Sequence, residues 1–351
     1  MLVLYFLILL IALVGVKRQA AAEDALSRAQ TTAIKGIFVM LVFASHISAY
    51  LDLSADSSRL TASYVWLRAY LGQMIVVGFL LYSGYGIRCS IDRKGLDYVR
   101  SIPLKRMLPT FLRCIPFVLL YFLVSILIGQ SYPLKTIIGA FFLWSDLGSS
   151  NWYMFAILYL YGASCISFLI FRKKPYAVLC TTLLTIAYCL IMQRVKQDWW
   201  YSTVLVFCFG LLLPDLRSIL KYTVRNRIPV WMGRLVLCFF LFWLFYGPKT
   251  GLPFWIRENL RAIALSLSIL VLSERVWIGN SVLNWLGTHV FECYMVHRLP
   301  MMIFSWLRIP LFSRLCFILL CAVSTVILAE AASRLLRKAD RLVFKKSLLS
   351  T

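Results

Sequence analysis

Residues Thr31–Leu51 read TTAIKGIFVMLVFASHISAYL, and how this stretch is understood decides the fold. From Ala33 to Leu51 it is almost wholly apolar and long enough to cross a hydrocarbon core of roughly 30 Å. Yet Lys35 stands near one end and His46 lies deeper in. An ionisable side chain inside a membrane helix is costly to bury, so it marks a candidate functional site. At ~100° per residue the two positions return to within about 20° of one helix face, ~16 Å apart along the axis. The plainer alternative is a snorkelling lysine and a histidine packed between helices.

Composition agrees with a membrane fold. The chain has 351 residues, 61% of them hydrophobic, and a mean hydropathy of +0.82. A soluble domain is about 45–50% apolar, so the excess needs lipid to face. The apolar runs are continuous rather than alternating, which excludes a strand barrel and gives an all-α polytopic membrane protein. A net charge of +23 would suggest nucleic acid in a soluble protein. Here it is explained by Lys and Arg gathering on cytoplasmic loops, with no nucleic acid expected. Such a face also suits a polyanion such as a nucleotide or coenzyme A. The ten cysteines are scattered, with no Cys-x-x-Cys pair and no metal-ligand spacing, so neither disulfides nor a metal site is expected.

Along the chain, residues 1–18 form an N-terminal transmembrane helix whose basic pair, Lys17 and Arg18, follows its apolar run. A cleavable signal wants its charge first, so an anchor is expected here, with cleavage near Ala20–Ala22 the minor alternative. Residues 31–334 form the membrane-embedded domain and 335–351 a basic tail. Eleven spans are expected, including Tyr201–Leu213, Leu260–Ser273 and Leu283–Leu307. Arg88–Arg106 is expected as a basic loop, and 131–150 as a re-entrant or interfacial piece. The inner loops of this layout hold 23 Lys/Arg and the outer ones 8, which places the N-terminus outside and the C-terminus in the cytoplasm. Trp66, Trp144, Trp152, Trp199, Trp200 and Trp255 fall near outer ends, where an aromatic belt would lie.

The three histidines, His46, His289 and His297, all sit in or beside apolar spans. Imidazole titrates near pH 6.5 and can move a proton at neutral pH. There is no Gly-x-Ser-x-Gly elbow and no phosphate-cradling glycine loop. KGIFVMLVFASH resembles the opening motif of the acyltransferase-3 family of integral-membrane O-acyltransferases: a basic residue and glycine, an apolar run, then histidine. GFLLYSGYGI, KRMLPTFLR, NWYMFAILYLY and WLGTHVFECYMVH resemble further family motifs in the family's order. Departures are Lys35 where the family often has Arg, Val290-Phe291 in place of Ser-Tyr, and Arg88 followed by Ile91 instead of paired arginines.

The resemblance implies a ten-helix bundle, here with one extra N-terminal helix, in the inner (plasma) membrane. It implies transfer of an acyl group from cytosolic acyl-CoA, with acetyl-CoA the expected donor substrate and no bound cofactor. The implied acceptor is a hydroxyl of a cell-surface or lipid-linked carbohydrate, and a homodimer is the assembly left open. His46 takes the catalytic role, as base or transient acyl carrier, and Lys35 meets the donor. Ser83, Arg88, Trp152, Tyr153, Glu292 and His297 are the remaining substrate-binding candidates. For Ser83 the plainer role is close packing, for Trp152 and Tyr153 a belt position, and for Glu292 a salt bridge. The rival reading is a transporter with buried Lys, His and Glu along a polar path, although neither related halves nor broken helices in matching positions are found.

The charge bias makes a direct prediction about sidedness. In intact cells, with native cysteines removed, a membrane-impermeant thiol reagent should label Asp56→Cys but not Lys94→Cys. The reverse pattern would invert the layout.

Overall fold

The computed structural model describes residues 2–19, 25–53, 58–223 and 228–344. The Ala20–Ala22 cleavage alternative, the Asp56 loop tip and the tail from 345 onward lie outside the described residues. The helices in order are α1 (Leu2–Leu13), α2 (Arg28–Ile47), α3 (Arg59–Leu71), α4 (Val77–Ile102), α5 (Leu108–Leu127), α6 (Leu134–Phe141), α7 (Trp152–Ile170) and α8 (Lys174–Val195). They continue as α9 (Leu205–Thr223), α10 (Ile228–Leu244), α11 (Phe254–Ser273), α12 (Ser281–Thr288), α13 (Val290–Val296), α14 (Arg298–Trp306), α15 (Ile309–Phe312) and α16 (Arg314–Phe344). The strands described are a two-residue pair, Lys17–Arg18 against Val276–Trp277, antiparallel.

Among the described residues, six helical stretches are long and apolar enough to cross a membrane, one of them running from Arg59 to Leu127 through α3, α4 and α5. Large apolar side chains such as Leu127, Leu311 and Phe312 are left exposed on the bundle, as a lipid-facing surface requires. The fold is an all-α polytopic membrane protein.

Several expected boundaries are corrected. Arg88–Arg106 is not one loop: α4 carries on past Arg88, kinks at Gly95 (φ 63°, ψ −148°), resumes to Ile102 and passes through a π-helical turn, Pro103–Met107, into α5. A polar helix can run on into water, helped by i,i+4 pairs such as Arg88–Asp92, and the irregular backbone expected here is confined to Gly95, whose positive φ glycine tolerates. The span expected at Tyr201–Leu213 begins at Leu205 and extends to Thr223, and that expected at Leu260–Ser273 begins at Phe254. Leu283–Leu307 is not one span but three short helices, α12, α13 and α14. Backbone at His289 (φ −105°, ψ 27°) leaves the helix, and Pro300 has no N–H for the Val296 carbonyl one turn back.

Loop contacts sort the chain into two ends. Gln19 N donates to the Arg275 carbonyl, Lys174 pairs with Asp92, and Arg113 pairs with Asp340 at one end. Arg314 donates to the Asp52 carbonyl, and Lys196 to the Trp144 carbonyl, at the other.

Glycines bring the central helices together. A Cβ on Gly84 of α4 would meet the Phe207 carbonyl of α9, and one on Gly210 of α9 would meet the Leu81 carbonyl of α4. The same reciprocity holds α2 to α12, with Gly36 against the Leu283 backbone and Gly287 against the Thr32 carbonyl. Small residues let backbones approach where lipid offers no hydrophobic drive between helices. Gly84→Val should therefore lower the melting temperature in detergent, since overpacking costs about 1–3 kcal/mol. Gly86→Val, at an exposed position of α4 with open space around it, should change the melt little. Equal melts for the two variants would contradict this packing.

Candidate active site

The end of α2 and the break between α13 and α14 meet at two histidines. His46 lies in the last turn of α2, and His297 caps both α13 and α14. His46 Nδ1 and His297 Nε2 are 2.6 Å apart, with ring planes 11° from parallel and centroids separated by 4.9 Å. Two faces in van der Waals contact stand about 3.5–4.0 Å apart, farther than these nitrogens. The rings therefore meet edge to edge, nearly in one plane, as an N–H···N hydrogen bond requires.

The partners of His297 decide which nitrogen holds the proton. His297 Nδ1 lies 2.8 Å from the Tyr294 carbonyl and 3.2 Å from the Cys293 carbonyl. A carbonyl can only accept, so Nδ1 of His297 carries the hydrogen and its Nε2 keeps the lone pair. His46 must then donate from Nδ1, which leaves His46 Nε2 as a lone pair. This assignment follows from hydrogen-bond complementarity. Among the described residues nothing bonds to His46 Nε2, and its ring is half-buried where His297 is only 2% exposed. The arrangement is an oriented base: two carbonyls fix one imidazole, which fixes the next.

Lys35 stands on the same stripe of α2, separated from His46 by Val39 and Val42. Its ammonium has no hydrogen bond or ion pair among the described residues, so it is a cation still open to a ligand. Gln30 anchors this end of α2, donating from Nε2 to the Val276 carbonyl and accepting from Ile278 N.

The other expected residues sort differently. Arg88 is 2% exposed, and its guanidinium is taken by Asp92 at 3.0 Å and Asp215 at 2.7 Å, binding α4 to α9. Trp152 and Tyr153 are buried, which corrects their expected belt position. Trp200 is buried as well, packed between Trp144 and Phe155. Tyr153 touches Tyr294, which in turn touches His297, so the aromatic segment walls the site from inside. Ser83 meets the hydroxyls of Tyr153 and Tyr161, a second layer behind that wall. Glu292, half-buried on α13, has no ion pair among the described residues, so the expected salt bridge is not formed there.

Sequence reasoning missed Arg298 and the turn at 145–151. Arg298 donates to the Ser149 carbonyl at 2.9 Å, to Ser150 Oγ at 3.2 Å and to Tyr50 OH at 3.3 Å. Tyr294 OH donates to the Ser150 carbonyl, and Asp146 accepts from Asn151 N at 2.6 Å. This turn is thereby clipped over the residues that hold His297. Burial raises the Asp146 carboxyl above the usual carboxylate range, opposed by the Asn151 N–H and the charges of Arg298 and Lys196. The available signal was a charged residue directly after His297 in an apolar run.

A family model for an acyltransferase domain, Acyl_transf_3, matches residues 30–334. No curated protein and no solved structure matches the chain.

The tautomers are open to measurement. With 15N-labelled histidine in detergent, both His46 and His297 should show protonated Nδ1 and unprotonated Nε2 at neutral pH. An Nε2-protonated His46 would remove the base from the site.

Proposed function

The chain belongs to the Acyl_transf_3 acyltransferase family, and on that premise we propose that it moves an acyl group from cytosolic acyl-CoA to a carbohydrate hydroxyl. The observation that carries the reading is the bonded pair His46–His297, which leaves one imidazole lone pair unpartnered on the Lys35 stripe of α2. An alcohol is a poor nucleophile until a base within ~3 Å takes its proton. In the proposed step His46 Nε2 accepts the proton of the acceptor hydroxyl as its oxygen bonds to the thioester carbonyl carbon. The carbon–sulfur bond breaks, and the thiolate leaves with the proton returned from Nε2. His297 stabilises the imidazolium by accepting from its Nδ1–H throughout.

Lys35 supplies the donor contact, since an unpaired ammonium at the basic end of the bundle suits the phosphates of coenzyme A. Arg88 acts indirectly, holding α4 to α9 through Asp215. We assign the Lys35 end to the cytoplasm of the inner membrane and the His46 end to the acceptor side, because the loops at the Lys35 end carry the positive excess. Acetyl-CoA is the donor and a cell-surface or lipid-linked glycan the acceptor class in this reading. Family membership displaces the transporter alternative, and the broken α12–α14 segment finds its use in placing His297.

Substitutions at the two histidines should behave oppositely. His46→Gln cannot take up a proton and should lose ~10²–10⁴-fold in transfer, the usual share of general base catalysis. His297→Gln keeps an acceptor for His46 Nδ1 and should retain more activity than His297→Phe, which offers none. Lys35→Ala should raise the apparent KM for acyl-CoA, with less salt dependence than the parent protein. The assay is acyl transfer by purified protein in detergent, with monodispersity as control. Near-normal turnover by His46→Gln would refute the mechanism, and an unchanged KM in Lys35→Ala would refute the donor contact.

A further inference from the structure

A small cavity lies along the α2 stripe between Lys35 and the histidine pair. Its walls include Val39 and Val42 of α2, Phe79 of α4, Cys293 and His297 at α13, and Thr325 of α16. Counted as space open to the centre of a water-sized sphere, it holds ≈ 20 Å³. One water needs about 10–15 Å³ by this measure, so there is room for one small group and little more.

The lining offers that group almost no polar partner. Thr325 Oγ1 donates back to the Cys321 carbonyl at 2.7 Å. Tyr294, which also borders the space, sends its hydroxyl to the Ser150 carbonyl, and both ring nitrogens of His297 are engaged as described. A water seeks two to four hydrogen bonds, and apolar cavities of this kind stay dry and accept apolar groups.

We propose that this cavity is the acyl-length gauge of the enzyme: it receives the methyl end of a two-carbon acyl group and rejects longer chains, with Val39, Val42, Cys293 and Thr325 as the specificity-determining residues. The proposal rests on the acyl-transfer reading above. Three features support it. The cavity touches His297, so a group seated in it stands beside the bonded pair. It lies toward Lys35, where the donor is held. Its walls come from four helices, with Val42, Phe79, Cys293 and Tyr294 in the buried core, so extra methylenes meet packed side chains that they would have to displace.

The test compares initial rates with acetyl-, propionyl- and butyryl-CoA for the full chain in detergent. One surplus methylene in an apolar pocket is worth ~10–200-fold in discrimination, so the parent rates should fall at least ~10-fold from acetyl to propionyl. Val42→Ala and Thr325→Ala should each raise the butyryl-to-acetyl ratio by ~10-fold or more. Val236→Ala, on the exposed face of α10, should leave that ratio unchanged. A ratio between donors on one variant cancels any general loss of active protein, and the two enlarging variants guard against a folding failure in either. Equal use of the three donors by the parent, or a ratio unmoved in both enlarging variants, would overturn the gauge while leaving acyl transfer intact. Transfer from none of the three donors would overturn acyl transfer from CoA itself, and the gauge with it.

Discussion

The hydrogen bond between His46 and His297 joins two segments that lie 251 residues apart in the chain. An N–H···N bond tolerates little error in distance or angle, so both ends must be held by rigid backbone. On one side α2 is fixed by its Ser27 cap and by Gln30, and the Tyr64 hydroxyl donates to the Ala44 carbonyl beside His46. On the other side His297 Nδ1 is set by the Tyr294 and Cys293 carbonyls of its own preceding turn.

The close approach of α12 to α2 is the second requirement, and it is a matter of missing atoms. Gly36 and Gly287 each face backbone of the other helix, leaving no room for a side chain at the crossing. Below the site, α4 and α9 repeat the device through Gly84 and Gly210, with Arg88 buried between Asp92 and Asp215 nearby. A charge at 2% exposure persists only when paired, because removing one partner leaves the other uncompensated. The bundle therefore holds its polar groups in two ways. Arg88 is spent on structure, whereas Lys35 is left without a partner among the described residues, on the stripe that ends at His46.

The turn at 145–151 adds a third constraint from the opposite face. Arg298 and Tyr294 reach it from either side of His297, so any motion of that turn is transmitted to the residues framing the pair. It is braced internally by Asp146 accepting from Asn151 N and by Asn151 donating to the Ser145 carbonyl. That makes it an ordered cover over the far side of the site.

Much was legible in the sequence because the bilayer constrains each helix separately. Hydropathy marks a span without reference to any neighbour, and Lys35 and His46 share one helix, so their common face follows from helical period alone. The order of motifs likewise identified the family. What the sequence left undecided depends on contacts between distant segments. No local pattern says that Arg88 meets Asp215, that Trp152 turns inward, or that His297 completes His46. Charge density in Arg88–Arg106 mimicked an extended loop, whereas the backbone leaves the helix only at Gly95, because polarity reports on solvent and not on backbone geometry. The three-helix segment mimicked one span because its apolar composition is continuous while its hydrogen bonding is not. Chain composition fixed what must be buried in lipid; only the packed bundle decided which buried groups bond to each other, because a hydrogen bond needs both partners placed to within a few tenths of an ångström.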